Sequence, residues 1–506
     1  MNRRKIITQI FNLHKTVLMI NLIVVIISIL LVLIATLYPF NFSFPESLSL
    51  QAIIASFDNA SSFNDLVNNI LLFMPFGFSF TAFLQRIRMK LKIKLLIVIF
   101  VSTGISSIVE ILQVFLPSRL PTPADIVNNT IGGIVGIICF YIWSSQSFLY
   151  ILTCIENTRT SSSIQKITLL FIGYIFLSFL ISINWQTATN LNNWSLKYPL
   201  LLGNEQTGDR PWQGYILEVN IADRAISKNE VLKLFNTRNY LDNNRSSLIA
   251  SYQLTGKEKF QDRTGTLTEL LPQGTFPKIE DVKGVALSSK HWLKTADSAT
   301  SLNRRIRETS QFTISTIVAT TNTAQTGPAR IISLSGNLLR RNFTLGQQET
   351  NLELRLRTPI TGENAADFKF TIPDIFTDTD QHHIVITYFK ATLQVYVDKL
   401  ENYYSLNLLD LIPKKQNFFY YGLNFIPLGL CLMLLTTLAK KQLSFYRLLL
   451  PSGILLPSLI LESILVSDSG KSISLKNLLL GIFFTGGTML LLRLRASALV
   501  KKAGLN

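Results

Sequence analysis

Apolar residues run in eight long stretches, five before residue 185 and three after residue 405. Each is long enough to cross the hydrocarbon core of a bilayer, which takes about 20 residues of helix. The pattern therefore predicts a polytopic α-helical membrane protein with about eight transmembrane helices. The stretches are 17–38, 66–84, 93–116, 125–144, 166–184, 417–438, 445–466 and 475–493.

Between residues 185 and 405 the pattern changes to short runs in which apolar and polar residues alternate. Such alternation, with frequent turn residues, is typical of antiparallel strands with one buried face. About 200 residues of this kind suit one β-sandwich, so we expect an all-β jelly-roll domain. The residues expected to share buried faces are Phe312, Ile314, Thr316 and Val318, and Leu393, Val395 and Val397.

The two patterns divide the chain into three predicted domains. Residues 1–184 hold five transmembrane helices, residues 185–405 form the sandwich, and residues 406–506 hold three further helices. The eight-residue run FLYILTCI at 148–155 is too short to span, so we expect an interfacial or loop segment there.

Charge sets the orientation of this arrangement. The chain has 506 residues, 48% of them hydrophobic, and a formal net charge of +17. Much of the Lys and Arg lies in short blocks beside the apolar stretches, where the positive-inside rule accounts for it, so we exclude nucleic acid as a partner. The blocks place both termini in the cytoplasm and residues 185–405 outside. We expect a multi-pass protein of the bacterial cell (inner) membrane.

The N-terminus and the cysteines add two further expectations. The basic residues at 3–5 precede a long apolar run without a small-residue cleavage site, which favours a retained helix over a signal peptide. Cys139, Cys154 and Cys431 lie in or beside apolar segments without paired spacing, so the sequence predicts neither a disulfide framework nor a zinc site.

Polar residues interrupt the apolar pattern at one depth, near the external leaflet. Ionisable groups in spanning helices are costly and usually face the bundle or a water-filled cavity, so we expect a ligand pocket there. Gly132, Gly133 and Gly136 would permit the close helix approach that seals it. The polar residues are Asn64, Asp65, Asn68, Asn69, Glu110, Gln113, Arg119, Asp125, Asn128 and Asn129.

A structural interpretation of the same residues stays open. Glu110 and Arg119 could form an ion pair, and Asp125 could be the N-cap of the helix that follows. Asn68 and Asn69 could form hydrogen bonds between helices.

These polar motifs resemble the VanZ family of small bacterial membrane proteins over residues 20–145. The family is named after a member associated with glycopeptide resistance, and its biochemical mechanism is not established. The resemblance implies a membrane location and supplies no reaction. The matching residues are NDLVNNILLFMPFGF (64–78), Glu110, Gln113, Arg119, Pro121 and DIVNNTIGGIVG (125–136).

Two stretches of the middle segment resemble the concanavalin A-like, laminin-G-type jelly-roll family. They are GYILEVNIADRAISKNEV (214–231) and QHHIVITYFKATLQVYVD (381–398). The chain departs from that family in two ways: Lys399 stands where a Gly usually follows the Asp, and the first stretch lies near the start of the domain instead of its end. The resemblance implies carbohydrate or peptide binding and leaves calcium binding open.

The last three helices show an internal repeat of the earlier ones. Pro75 and Glu110 are 35 residues apart, as are Pro427 and Glu462, so one offset of 352 aligns both pairs. Both copies are expected to run through the membrane in the same direction, which makes this a parallel repeat. The offset sets Lys471 opposite Arg119 and Leu465 opposite Gln113. A four-residue deletion then aligns Asn477 with Asn129 and Gly481 with Gly133, leaving Asp125 without a counterpart.

Binding is the first of three functional hypotheses. A non-catalytic envelope protein would hold a lipid-linked or anionic headgroup in the polar pocket, with Arg119 as a bidentate donor and Asn128 and Asn129 adding hydrogen bonds. The sandwich would bind an external glycan or peptide. Trp194, Trp212 and Trp292 could stack on sugars, although tryptophan in a sandwich is commonly core.

The second hypothesis is an outer-leaflet enzyme that uses Glu110 and Asp125 as an acid/base pair on a lipid-linked glycan or acyl group. The sequence has neither a GxSxG nor an HExxH motif. His382 and His383 would project to opposite faces of a strand, which makes them a poor metal pair. A transporter or sensor is a third class, and beyond the two glutamates no relay of charges supports it.

Overall fold

The computed structural model of the chain describes residues 3–44, 57, 63–87, 89–117, 119, 121–157, 163–237, 246–255, 260–274, 284–362, 364–365, 369–411, 414–469 and 473–502. The chain forms two compact units. A helical unit comprises Met1–Ile181, Lys415–Glu462 and Ser474–Asn506, and a β unit comprises Ser182–Lys414 and Ser463–Ile473.

Eight helices in the described part of the chain are long and apolar enough to cross a membrane, which agrees with the eight predicted stretches. Three shorter helices bring the α-helices of the described residues to eleven, so the helix count is larger than predicted. The long helices are α1 Arg3–Leu37, α2 Phe63–Gln85, α3 Leu91–Gln113, α4 Pro123–Trp143, α6 Ile164–Thr187, α9 Lys414–Leu438, α10 Leu443–Ser469 and α11 Leu475–Lys502; the short ones are α5 Ser145–Glu156, α7 Lys228–Thr237 and α8 Thr300–Thr309.

Helix α5 contains the run at 148–155 for which the sequence predicted an interfacial or loop segment. Ser144 caps this helix, since its side chain accepts a hydrogen bond from the Ser147 N–H. Phe148 and Leu152 are buried on one face, one turn apart. An amphipathic face and a serine cap are sufficient to form a 12-residue helix that is too short to span a bilayer.

Helices α2 and α4 pack closely because glycines line their contact. A Cβ atom added to Gly77 would overlap the carbonyl oxygen of Gly133, and one added to Gly136 would overlap the backbone of α2 at Met74. At Gly132 an added Cβ would lie 2.6 Å from the carbonyl oxygen of Ile70. Backbones at this separation tolerate no side chain, as the glycine spacing predicted.

The β unit contains two seven-stranded antiparallel sheets. The first has the order β11-β10-β9-β8-β1-β6-β4, and the second has the order β14-β13-β12-β7-β2-β3, with β5 paired to β2. The strands are β1 Leu200–Leu202, β2 Gly214–Ala222, β3 Leu248–Gln253, β4 Leu270–Gln273, β5 Val285–Leu287, β6 Trp292–Thr295, β7 Phe312–Thr320, β8 Ala329–Ser335, β9 Arg341–Gln348, β10 Asn351–Leu356, β11 Phe370–Ile372, β12 Gln381–Phe389, β13 Thr392–Val397 and β14 Lys399–Asn407.

Apolar side chains of both sheets form one core, and the predicted faces of β7 and β13 contribute to it. Trp194 and Trp212 are 1% and 0% exposed in this core. Their indole N–H groups donate to the Arg357 carbonyl at 3.0 Å and to Gln347 Oε1 at 2.9 Å. The suggestion that these two tryptophans stack on sugars is therefore wrong, because both rings are buried in the core. Trp292 is half-buried.

The helix contact gives a first testable prediction. Gly77→Ala should lower the midpoint of thermal unfolding of the detergent-solubilised protein, because the new methyl group meets the Gly133 carbonyl and α2 and α4 must separate. Gly104→Ala is the control: an added Cβ at Gly104 has no atom within 4 Å, and Ala favours helix by about 1 kcal/mol. Equal midpoints for the two variants would contradict the close α2–α4 packing.

Candidate functional site

A buried carboxylate lies where α3 ends and α4 begins. Glu110 is 2% exposed, and its Oε2 accepts a hydrogen bond of 2.9 Å from the backbone N–H of Thr122. Thr122 in turn accepts through its Oγ1 from the Asp125 N–H at 3.2 Å. Thr122 is therefore the N-cap of α4, with Pro123 at the first helical position. The interpretation of Asp125 as the N-cap is wrong, since a threonine three residues earlier takes that role.

Asp125 is half-buried in the first turn of α4, where the helix dipole favours a negative charge. It lies at the same turn as Glu110, since Thr122 donates through its N–H to Glu110 and accepts through its Oγ1 from the Asp125 N–H. The structure thus brings together the two carboxyl groups that the sequence singled out as an acid/base pair.

Amide side chains lie near this turn on α2 and α4, two helices that pack against each other. Asn129 is 1% exposed, and its Nδ2 donates to Ser106 Oγ at 2.8 Å. Its Oδ1 is buried with no hydrogen-bond partner among the described residues, and the same holds for Asn69 Nδ2. Asn128 is 7% exposed, whereas Asn68 is exposed. Buried polar atoms are nearly always paired in folded proteins, so the unpaired donor and acceptor mark this cluster as a binding candidate.

Gln113 and Arg119 contact a different part of the helical unit, the C-terminal end of α1. Gln113 Nε2 donates to the Thr36 carbonyl at 3.1 Å. The exposed Arg119 donates from Nη2 to the carbonyls of Ala35 at 3.2 Å and Tyr38 at 3.4 Å. Carbonyls at a helix C-terminus lack partners within the helix and attract cations. The proposed Glu110–Arg119 ion pair is therefore wrong, because the described guanidinium contacts are with α1.

A second, similar set of contacts joins α10 and α11. Glu462 is 3% exposed, and its Oε2 accepts from the Ser474 N–H at 3.1 Å. The Asn477 N–H donates to Ser474 Oγ at 3.4 Å. The hydroxyl of Tyr421 donates to Glu462 Oε1 at 3.2 Å. The N–H of Asn477 thus donates to a hydroxyl three residues earlier, as the N–H of Asp125 does, so Asn477 corresponds to Asp125. The predicted four-residue deletion, which aligned Asn477 with Asn129, is therefore wrong. Lys471 and the side chain of Asn64 lie outside the described residues.

Comparison with known proteins supports the sequence interpretation of this region. Residues 23–144 match the family model described as VanZ/LLP1. The VanZ-like segment predicted at 20–145 is therefore confirmed, and it contains the Glu110 carboxylate with its asparagines. No curated protein and no solved structure matches the chain.

The β unit holds a buried charge cluster that sequence reasoning missed. Arg330 and Arg341 are 1% and 2% exposed, and Glu205 is fully buried. Arg330 Nε lies 3.5 Å from Glu205 Oε2, and Ser335 donates a hydrogen bond to Oε1 of the same carboxylate. Burial lowers the pKa of Arg330 to about 10 and that of Arg341 to about 9. The signal in the sequence was an arginine inside the apolar strand ARIISLS.

The two adjacent histidines of β12 have separate neighbours. His382 Nδ1 lies 2.8 Å from Asp398 Oδ2, and this hydrogen bond raises the pKa of the imidazole. His383 Nε2 instead lies 2.9 Å from Ser315 Oγ. Asp398 has a left-handed φ of +63°, so the tight turn before Lys399 is made by the aspartate. Among the described residues no group of three or more His, Cys, Asp or Glu side chains could hold a metal ion.

The charge cluster gives a second testable prediction. Glu205→Gln should lower the free energy of unfolding of the β unit by about 3–5 kcal/mol, because it leaves the Arg330 guanidinium buried without its counter-charge. Tryptophan fluorescence during urea unfolding measures this change, since Trp194 and Trp212 lie in the core. Asp209→Asn, at an exposed residue four positions along, is the control. A loss no larger than that of the control would contradict the ion pair.

Proposed function

We propose that this chain is a VanZ-like cell-envelope membrane protein that binds an external ligand without transforming it. The ligand is a lipid-linked or anionic headgroup held near the external leaflet by the cluster around Glu110. The protein contributes to resistance against glycopeptides or related envelope stress, as the family resemblance implies. The β unit serves as a lectin-like module for an envelope glycan or peptide.

One observation carries the binding proposal. Glu110 is almost fully buried between apolar helices, and the amide atoms Asn69 Nδ2 and Asn129 Oδ1 near the same helix ends have no partner among the described residues. A buried unpaired donor or acceptor costs about 1–3 kcal/mol. A ligand with hydrogen-bonding groups would remove this cost, which gives the cluster a thermodynamic reason to bind one.

Arg119 has a different role in this proposal from the one the sequence suggested. Its guanidinium holds the end of α1 against the turn that precedes α4. Because Gln113 donates to the same helix end, both side chains fix the wall of the site. Ligand selection then rests on Glu110, Asn69 and Asn129.

An outer-leaflet enzyme is the second candidate, because Glu110 and Asp125 lie at the same turn and are linked through Thr122. Two neighbouring carboxyl groups can share a proton and so supply an acid and a base. In this candidate a lipid-linked glycan or acyl ester would be hydrolysed at the membrane surface.

Membrane orientation provides a third testable prediction. In a chain with Cys139, Cys154 and Cys431 changed to Ser, Asp297→Cys should react with a membrane-impermeant maleimide in intact spheroplasts. Arg86→Cys should react only after lysis. Both residues are exposed, so access through the membrane is the difference that the experiment measures. Labelling of Arg86→Cys in intact spheroplasts would contradict the orientation in which the β unit is external.

The carboxylates give a fourth testable prediction. The wild-type protein purified from membranes should retain lipid that mass spectrometry quantifies. Glu110→Gln should retain about tenfold less, since a hydrogen bond to a charged group contributes about 1.5–3 kcal/mol. Glu156→Gln, at an exposed residue of α5, is the control.

The hypothesis of an outer-leaflet enzyme predicts a different result. Wild-type protein in liposomes of extracted envelope lipid would change the mass of a lipid species, and both Glu110→Gln and Asp125→Asn would abolish that change. Equal lipid retention in wild type and Glu110→Gln, without any turnover, would contradict both functions.

A further inference from the structure

Helices α2–α4, the first set, and helices α9–α11, the second set, follow one another along the chain with the same spacing. Helix α3 begins at Leu91 and α10 at Leu443, while α4 begins at Pro123 and α11 at Leu475. Both pairs of helix starts are 352 residues apart. Pro75 in α2 and Pro427 in α9 have this separation too, and both lie inside their helices.

The buried contacts repeat with the same offset. Glu110 accepts from Thr122 and Glu462 accepts from Ser474, in each case from a backbone N–H twelve residues ahead. Gly77 lies against the carbonyl of Gly133, and a Cβ added to Gly429 would lie 2.6 Å from the carbonyl of Thr485. An ungapped offset of 352 therefore relates the two sets, without a deletion.

Among the polar side chains that differ between the two sets, two bear on the buried carboxylates. Asn129, which donates to Ser106, corresponds to Gly481, which lies beside Ser458. Ser458 Oγ accordingly has no hydrogen-bond partner among the described residues. The second set has thus lost an amide from its cluster and has retained the serine that the amide would contact.

The second difference lies directly at the carboxylate. Tyr421 occupies the position that corresponds to Asn69, and its ring is buried at 1% exposure. Its hydroxyl donates to Glu462 Oε1. The side chain of Asn69 is much shorter, and its Nδ2 makes no hydrogen bond to Glu110 or to another described residue. Among the described residues, Glu110 therefore lacks the side-chain hydrogen bond that Tyr421 gives to Glu462.

The surroundings of Glu110 indicate the kind of molecule that would fill this place. On α3 the neighbouring Ile108 and Ile111 are 59% and 46% exposed, and on α4 Val127 and Ile131 are 58% and 40% exposed. Exposed branched apolar residues on membrane-length helices face lipid tails. These residues lie on other faces of α3 and α4 than the buried Glu110, so a ligand that reaches the carboxylate from the bilayer passes lipid-facing helix surfaces and must be amphiphilic.

We infer that the first set binds a lipid with a hydroxylated headgroup, and that the ligand hydroxyl donates to Glu110 as Tyr421 donates to Glu462. Asn129 Oδ1 and Asn69 Nδ2 supply an acceptor and a donor for further hydroxyl groups. In the second set the hydroxyl of Tyr421 already donates to Glu462, so this copy binds no ligand there and its role is structural. This inference rests on the proposed function and names the ligand class for that same site.

The experiment measures access to each carboxyl group with dicyclohexylcarbodiimide. A protonated carboxyl group adds across the carbodiimide to give an acylisourea that rearranges to a stable N-acylurea, which peptide mass spectrometry locates. In vesicles of phosphatidylmethanol, an anionic lipid without a headgroup hydroxyl, Glu110 should be modified and Glu462 should not. Asn69→Tyr should protect Glu110, and Tyr421→Asn should make Glu462 reactive. Tyr421→Phe keeps the ring and should leave Glu462 protected.

The ligand class is tested by changing the vesicle. Phosphatidylglycerol has the same charge as phosphatidylmethanol and adds hydroxyl groups. It should slow modification of Glu110 about tenfold, because a hydroxyl that donates to the ionised carboxylate stabilises the form that does not react with the carbodiimide. Asn69→Tyr should remove this dependence on lipid. Free glycerol in phosphatidylmethanol vesicles tests the other source of the same chemistry, and protection by glycerol alone would overturn the lipid ligand.

The outcomes separate this inference from the proposed function. Equal protection by the two lipids, together with loss of retained lipid in Glu110→Gln, would leave the binding function standing and overturn the hydroxyl ligand. Modification of Glu462 in the wild type, or its continued protection in Tyr421→Asn at an unchanged unfolding temperature, would overturn the closed second copy. Equal lipid retention in the wild type and Glu110→Gln would overturn the proposed function itself.

Discussion

A carboxylate buried between apolar helices needs a hydrogen-bond donor, and the helical unit takes that donor from the start of the next helix. The first N–H groups of a helix have no partner within it and carry a partial positive charge. Thr122 places one of them against Glu110, and Ser474 places another against Glu462. This requirement fixes the turn between the two helices, and with it the positions of Asp125 and Asn129 in the first set. The polar cluster follows from the backbone of one turn.

Much of this arrangement could be predicted from sequence because its signals are local. The eight long apolar helices of the described residues follow from apolar length, the sheets from alternation, and the α2–α4 contact from Gly132, Gly133 and Gly136. The roles of individual polar side chains could not be predicted from sequence, because each role depends on which group lies opposite that side chain in the folded protein. Arg119 contacts carbonyls at the end of α1, which lies 81 or more residues earlier in the chain. Likewise, Asp125 and Thr122 are both acceptable caps, and only the turn geometry selects the threonine.

The two units treat buried charge in opposite ways. In the helical unit Glu110 contacts a neutral backbone donor, and its charged neighbour Asp125 has the same sign. In the β unit Glu205 lies against Arg330, with Arg341 nearby, so opposite charges compensate one another. Both clusters contain buried polar atoms without a hydrogen-bond partner among the described residues: Asn69 Nδ2 and Asn129 Oδ1 in the helical unit, and Glu205 Oε2 and Arg330 Nε in the β unit.

The close helix contact has a further consequence in the second set. Gly132 lies against Ile70 in the first set, whereas Phe484 lies against Gly422 in the second, so the large and the small residue have changed sides. A hybrid with Ile70 and a phenylalanine would be overfilled, and one with two glycines would contain a cavity. At this position a helix of one set therefore does not fit the partner helix of the other, and the contact favours pairing within each set.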